Sequence, residues 1–161
     1  MKYEKNFYQI KSNQEIFNDI VKEKETIGYY NLPFQDTTNI KDYVSKIEKK
    51  HIVIVGIGGS SLGTRAIYEF LLTSKSYTKQ LHFLETTDPL DINHNLKQID
   101  LTNSHFVIIS KSGTTIETIS LFKYLSSLIK IDKSNCTIIS EDKSKLTIYA
   151  KKHNIKVFFL D

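Results

Sequence analysis

The sequence predicts an α/β fold, a five-stranded parallel sheet in a three-layer αβα sandwich, and three observations carry that prediction. Five short apolar runs recur from residue 51 onward: Ile52-Val53-Ile54-Val55, Leu81-His82-Phe83-Leu84, Phe106-Val107-Ile108-Ile109, Thr137-Ile138-Ile139 and Val157-Phe158-Phe159-Leu160. Near-continuous apolar character of this kind marks strands covered on both faces. Between the runs lie segments of helical spacing, Leu62 to Leu72, about Leu90 to Leu96, Thr115 to Ile129, and Lys143 to His153. Strands that alternate with helices form a doubly wound parallel sheet, with helices on both of its faces. The third observation is positional. The two stretches richest in glycine and hydroxyls follow the first and third strands, at the carboxyl ends where such sheets gather their ligands.

Taken in order, residues 1–50 read as a helical extension packed on a domain that occupies 51–161. Asn13 is placed to cap a helix in which Ile16, Phe17, Ile20 and Val21 form one apolar stripe against Asp19, Lys22 and Glu23, and which should end near Gly28. In Tyr29-Tyr30-Asn31-Leu32-Pro33 the proline biases Leu32 toward an extended conformation, and the paired tyrosines read as packing of a connecting segment. A second helix starts at Asp36 or Thr37, turns Ile40, Tyr43, Val44 and Ile47 inward, and runs out in Glu48-Lys49-Lys50.

Composition removes several classes of function. With 161 residues, 40% of them hydrophobic and 25% charged, the chain is long enough for one globular domain with a sizeable core. The net charge of +4 comes from lysines scattered among 18 acidic residues, which argues for a solvated surface and against a nucleic-acid partner. A lone cysteine, Cys136, allows neither a disulfide framework nor a cysteine metal site within one chain, and the expected setting is reducing and cytoplasmic. The Met-Lys-Tyr-Glu-Lys-Asn start lacks the apolar centre of a signal, and no window approaches a membrane span, so no membrane partner is expected. The histidines, His51, His82, His94, His105 and His153, read as structural or surface residues, and metal-ligand spacing is absent.

The first glycine stretch is Gly56-Ile57-Gly58-Gly59-Ser60-Ser61-Leu62-Gly63. Glycines crowd where the backbone turns sharply and a ligand approaches it. Two phosphate motifs fail here. The dinucleotide pattern needs a glycine where Ser61 stands, and the P-loop needs lysine and then a hydroxyl where Thr64 and Arg65 stand. What survives is a hydroxyl-bearing loop that opens a helix, or simply a tight strand-to-helix turn.

The second stretch is Ser110-Lys111-Ser112-Gly113-Thr114-Thr115-Ile116-Glu117-Thr118. Its hydroxyls and free amides suit an anion, Lys111 supplies charge, and Gly113 lets the chain turn while keeping its N–H open to a ligand. A helix start adds partial positive charge from its own unpaired N–H groups. Glu117 reads two ways. Thr114 and Glu117 have the spacing of a capping box, which would make the glutamate structural, and the same carboxylate stands next to an anion loop, where it could serve catalysis.

Together, Ile54 to Gly63 and Ser110 to Thr118 resemble the paired signatures of the glucose-6-phosphate isomerase family, and Ile27-Gly28-Tyr29-Tyr30-Asn31-Leu32-Pro33 is similar to the lead-in of some bacterial members. The resemblance covers nearly the whole chain. It implies a sugar isomerase (SIS) domain, in which Ser110, Lys111, Ser112 and Thr115 hold the substrate phosphate, Gly59 and Ser60 close the other side, and Glu117 lies beside the reacting sugar. The implied reaction needs no cofactor or metal. Glucose 6-phosphate and fructose 6-phosphate interconvert as a general base moves a proton between C1 and C2 through an enediolate. The family takes that base, an arginine, a lysine and a partner subunit's histidine from other positions, so the resemblance implies an N-terminal portion, inactive alone, of a protein that works as a homodimer. The alternative that the same resemblance leaves is a non-catalytic SIS module that senses sugar phosphates in a regulatory protein.

Overall fold

The computed structural model describes residues 13–24, 26–74 and 76–160, with residues 28 and 29 described by their backbone alone. The described residues fall into two compact units, one ending at Asp42 and one beginning at Tyr43.

In the first unit, α1 spans Gln14–Glu23, and the Asn13 side chain accepts from the N–H groups of Glu15 and Ile16, the cap that its residue type suggests. The helix stops short of Gly28. Its apolar stripe, Ile16, Phe17, Ile20 and Val21, is exposed. Leu32 is not extended: it lies with Pro33 inside a 3-10 helix, Gly28–Phe34, closed by a hydrogen bond from the Gln35 N–H to the Leu32 carbonyl at 3.2 Å. Proline's fixed φ suits that tight turn, and the turn overrides the bias on the residue before it. The packing expected of the paired tyrosines falls partly on the side chain of residue 29, outside the described residues. Helix α2, Thr38–Ser45, which runs past Asp42 into the second unit, is started by Asp36, whose carboxylate accepts from the Thr38 N–H at 2.9 Å. Of its inward-facing candidates Ile40 and Val44 are exposed, while Tyr43 and Ile47 are half-buried.

The second unit holds the sheet. Strands β1 (His51–Val55), β2 (Gln80–Leu84), β3 (Ser104–Ile109), β4 (Cys136–Ser140) and β5 (Lys156–Phe159) pair in parallel in the order β2-β1-β3-β4-β5. Helices α3 (Leu62–Leu72), α4 (Pro89–Leu96), α5 (Ile116–Leu128) and α6 (Lys145–Lys152) make the connections. Right-handed crossovers in that order put α3 on one face of the sheet and α4, α5 and α6 on the other. The two faces pack unequally. Val53, Val55, Phe106, Ile108 and Ile138 point to the three-helix face and are fully buried against Leu121, Leu125 and Ala150. Each such apolar side chain contributes roughly 1.5 to 3 kcal/mol on burial. The alternate residues Ile52, Val107 and Ile139 are only half-buried, and α3 buries none of its residues.

The chain steps from β1 outward to β2, then crosses back to β3 on the other side of β1. The strand order therefore reverses between β1 and β3, the crevice where open α/β sheets bind ligands. The two glycine- and hydroxyl-rich stretches leave those two strands.

Candidate functional site

The loop after β3 turns at once. Gly113 adopts φ +63°, and its N–H donates to the Ser110 carbonyl at 3.2 Å, closing a turn over Lys111 and Ser112. The amide expected to stay open for a ligand is thus spent on the turn. A left-handed residue with no Cβ is needed here twice over. A methyl group at position 113 would lie 2.6 Å from Ser144 Oγ and 2.7 Å from its Cβ.

Two hydroxyl pairs follow. Ser110 Oγ and Thr115 Oγ1 are 3.0 Å apart, and Ser112 Oγ lies 3.0 Å from Thr114 Oγ1 while accepting the Thr114 N–H at 3.3 Å. Ser110 is buried, Thr115 half-buried, and Lys111 and Ser112 exposed. The capping box does not form. The helix begins at Ile116 with Thr115 at the cap position, and no side-chain hydrogen bond is made there, because the Thr115 hydroxyl turns to Ser110. Glu117 then sits one position too early for the reciprocal bond, and no partner holds its half-buried carboxylate among the described residues. The next hydroxyl, Thr118 Oγ1, is buried without a partner.

The N–H groups of Lys111, Ser112, Thr115, Ile116 and Glu117 also have no acceptor among the described residues. Those at the start of α5 are the unpaired amides that every helix presents, carrying partial positive charge. Lys111 adds a full charge, part-engaged by the Glu141 carboxylate at 3.7 Å. The arrangement is an open cup of donors, hydroxyls and one cation.

The glycine loop runs beside it. Gly58 takes φ +59°, the Ser60 N–H closes onto the Ile57 carbonyl at 3.3 Å, and Ser61 heads α3 fully buried. Gly56 explains how close the two loops come: a Cβ there would meet Ser60 Cβ at 3.0 Å and the Ile109 carbonyl at 3.1 Å, so the first loop lies against the last residue of β3. Gly59 is exposed, with open space where a side chain would be, and Ser60 is half-buried. Arg65, which stands where a P-loop would need a hydroxyl, is committed elsewhere. It pairs with Glu85 at 2.8 Å, just past β2, and lies over the Phe83 ring.

Thus Ser110 and Thr115 touch one another, Gly56 brings Ser60 against the end of β3, and Lys111 and Ser112 stand on the turn between. Glu117 lies further along, in the first turn of α5, and makes no side-chain hydrogen bond or ion pair with them. Sequence reasoning missed Ser140, Glu141 and Ser144, which lie beneath the turn. Ser140 Oγ donates to the Ser110 carbonyl at 2.6 Å, and the Glu141 N–H donates to the Lys111 carbonyl at 3.0 Å. The signal was a serine ending the fourth apolar run, on the strand beside β3. A cavity of about 640 Å³ among the described residues lies off this cup. It is an apolar groove between α5 and α6, lined by Ile119, Phe122, Leu146 and Tyr149 and touching the loop only at Gly113 and Thr114.

The family model described as phosphoglucose isomerase matches residues 33–156. A glucose-6-phosphate isomerase of Campylobacter jejuni is 37% identical over 95% of this chain and 39% of its own length, and one of Methanocaldococcus jannaschii is 32% identical over 82% of this chain and 32% of its own. The chain therefore spans about two fifths or less of these relatives. Among solved structures, a glucose-6-phosphate isomerase of Chlamydia trachomatis superposes with a TM-score of 0.66 at 26% identity, over 76% of this chain and 24% of that one. A hypothetical protein of Thermus thermophilus shares the fold, with a TM-score of 0.74 at 24% identity over 91% of this chain and 38% of its own. The chain belongs to the phosphoglucose isomerase family.

Proposed function

We propose that this chain is the phosphate-gripping part of a glucose-6-phosphate isomerase, the enzyme of glycolysis and gluconeogenesis that interconverts glucose 6-phosphate and fructose 6-phosphate. The observation that carries the reading is the set of unpartnered N–H groups at Lys111, Ser112, Thr115, Ile116 and Glu117, gathered with hydroxyls and a lysine at the reversal point of the sheet. A phosphate dianion uses such a set fully. Amides and hydroxyls fix its orientation, and Lys111 contributes charge-assisted attraction.

In this reading Ser110, Lys111, Ser112 and Thr115 hold the phosphate, and Gly59 and Ser60 close over it from β1. Gly59, with no side chain, leaves the ligand room to approach the backbone. Glu117 faces the carbon chain of the sugar. Its carboxylate sits in the first turn of α5. A free carboxylate there orients the hydroxyls at C1 and C2 while a proton moves between those carbons through the enediolate. The rest of the machinery, the homodimer and the cytoplasmic setting belong to the whole protein of this proposal. No cofactor enters it. Among the described residues no helix is long and apolar enough to cross a membrane.

Calorimetry on the chain, with glucose 6-phosphate and with ATP, tests the reading. Saturable binding of the sugar phosphate that is competed by fructose 6-phosphate is the expected result. Tight ATP binding with no heat from either sugar phosphate would sink it.

A further inference from the structure

We propose that Ser140 and Ser144, on the connection leaving β4, are positioning residues that aim the amides of Lys111 and Ser112 at the bound anion. The inference rests on the phosphate-binding role proposed above for that loop.

Ser140 is fully buried, and its hydroxyl donates to the Ser110 carbonyl at 2.6 Å, with the Lys111 carbonyl as a second acceptor at 3.2 Å. The Glu141 N–H reaches the same Lys111 carbonyl at 3.0 Å. Two successive carbonyls of the loop are thus pulled toward β4. Every described peptide bond is trans, and in a trans peptide the C=O and the following N–H point in opposite directions. Holding the Ser110 carbonyl inward turns the Lys111 N–H outward, and holding the Lys111 carbonyl inward does the same for the Ser112 N–H. Those are two of the amides left without an acceptor.

Ser144 extends the brace. Its Oγ is 2.8 Å from Ser140 Oγ and accepts the Thr147 N–H at 3.1 Å. With the single hydroxyl proton of Ser140 toward the Ser110 carbonyl, the Ser144 hydroxyl is left as the donor between the two serines, with Thr147 Oγ1 as its other acceptor at 3.2 Å. The result is a continuous chain from an N–H in the first turn of α6, through Ser144 and Ser140, to the Ser110 carbonyl. Each bond in such a chain polarises the next and stiffens it. Gly113 packs directly on Ser144, so the far end of the turn rests on the same side chain. An unbraced turn would have to select one peptide orientation each time it bound an anion; here the orientation is already set.

The test measures glucose 6-phosphate affinity and the phosphate-induced shifts of the Lys111 and Ser112 amide resonances. It compares the unchanged chain with Ser140→Ala, Ser140→Thr and Ser144→Ala, well below each variant's unfolding midpoint, so that lost stability does not register as lost affinity. Ser140→Ala is expected to bind about tenfold more weakly, as for the loss of roughly one hydrogen bond near a charged ligand, and to lose the Lys111 shift while keeping that of Gly59. Ser140→Thr, which retains the hydroxyl, restores the shift. Ser144→Ala, which leaves the Ser140 donor in place, loses roughly two- to threefold for its neutral hydrogen bond. Unchanged affinity and shifts in Ser140→Ala overturn this inference alone. Absence of sugar-phosphate binding by the unchanged chain overturns the proposed function and this inference with it. Should Ser140→Ala not fold, Ser144→Ala decides, and wild-type affinity there counts against the brace.

Discussion

The two ends of the parallel sheet are built from opposite arrangements of polar groups. At the carboxyl end, after β1 and β3, amides, hydroxyls, Lys111 and Glu117 stand with few internal partners. At the amino end almost everything polar is spoken for. His51 Nδ1 and His82 Nε2 are 2.9 Å apart, and His105 Nε2 bonds Thr137 Oγ1 at 2.7 Å, which in turn meets the Tyr43 hydroxyl at 2.8 Å. Lys79 donates to the Ile47 and Lys49 carbonyls, and Lys49 to that of Thr102 at 2.9 Å. Buried groups satisfied internally hold a fold together, whereas donors left open on a fixed backbone are available to a ligand. Substitution at one end should therefore cost stability, and at the other it should cost binding.

The sharpest break in that contrast is Gly113, which belongs to the binding end yet is buried like the other. Gly113→Ala forces a methyl group into Ser144 and a side-chain-bearing residue to φ +63°, so a loss of about 3 kcal/mol in stability is expected from the two effects together. Sugar-phosphate binding should disappear with the turn. Gly59→Ala, with nothing within 4 Å of the added carbon, is the control and should leave the unfolding midpoint unchanged. Chemical denaturation of both variants checks this, and equal midpoints would remove the claim that the turn is rigidly supported.

Acid tests the amino end. Burial, helped by the nearby charges of Lys79 and Lys49, lowers the His105 pKa from 6.5 to about 4. Between those values the unfolded chain binds a proton that the folded chain refuses. The stability contributed by neutral His105 is complete above pH 6.5 and is lost as the pH falls toward 4, by about 3 kcal/mol at most. His82 is shifted in the same direction by burial and by His51. A denaturation series between pH 7 and 4 should show the fall, and His105→Gln should flatten it; parallel curves for the two proteins would show that His105 does not couple to folding.

At the carboxyl end the corresponding loss is in affinity. Lys111→Ala or Ser110→Ala should weaken glucose 6-phosphate binding by about 1 to 3 kcal/mol, the range for hydrogen bonds to a charged group. Lys111→Ala should leave the unfolding midpoint nearly unmoved, since that side chain is exposed. Full affinity in both variants would reduce the loop to a mere connection.

The same contrast explains what was legible in the sequence. Every strand and the helices after them were visible, because apolar spacing is a local property; α3 runs from Leu62 to Leu72 as its pattern suggests. The residue types of the cup were visible too, since glycine and hydroxyls concentrate there. Hidden were partners fixed by topology. His51 and His82 read as structural or surface residues, and their pairing, which spans 31 positions, was not visible; nor was the Ser140 brace, which reaches back 30 to Ser110. The capping box misled for a related reason: Thr115 found a partner at the end of the preceding strand, and the helix start moved with it. The open Gly113 amide was lost to turn closure, which glycine content alone does not reveal.

Glu141 carries the smallest expected effect and the finest test of the comparison, because among the described residues it is the acid that pairs with the cation of the open end. Its carboxylate lies 3.7 Å from Lys111 Nζ, and both side chains are well exposed, so the pair is worth roughly 0.2 to 1 kcal/mol. A phosphate that takes Lys111 must give up that pairing and also meets the like charge of the carboxylate. Glu141→Gln removes both penalties and keeps the backbone N–H that holds the Lys111 carbonyl. Sugar-phosphate affinity should then rise by up to about fivefold at low ionic strength, with the gain shrinking as salt screens the exposed charges. In a Lys111→Ala background the substitution should gain less, since no cation remains to be released. Titrations of the two single variants and the double variant at two salt concentrations measure this directly. An equal gain with and without Lys111 would assign Glu141 only a general field, and a loss of affinity would mean that its pairing orients Lys111 for the ligand instead of competing with it.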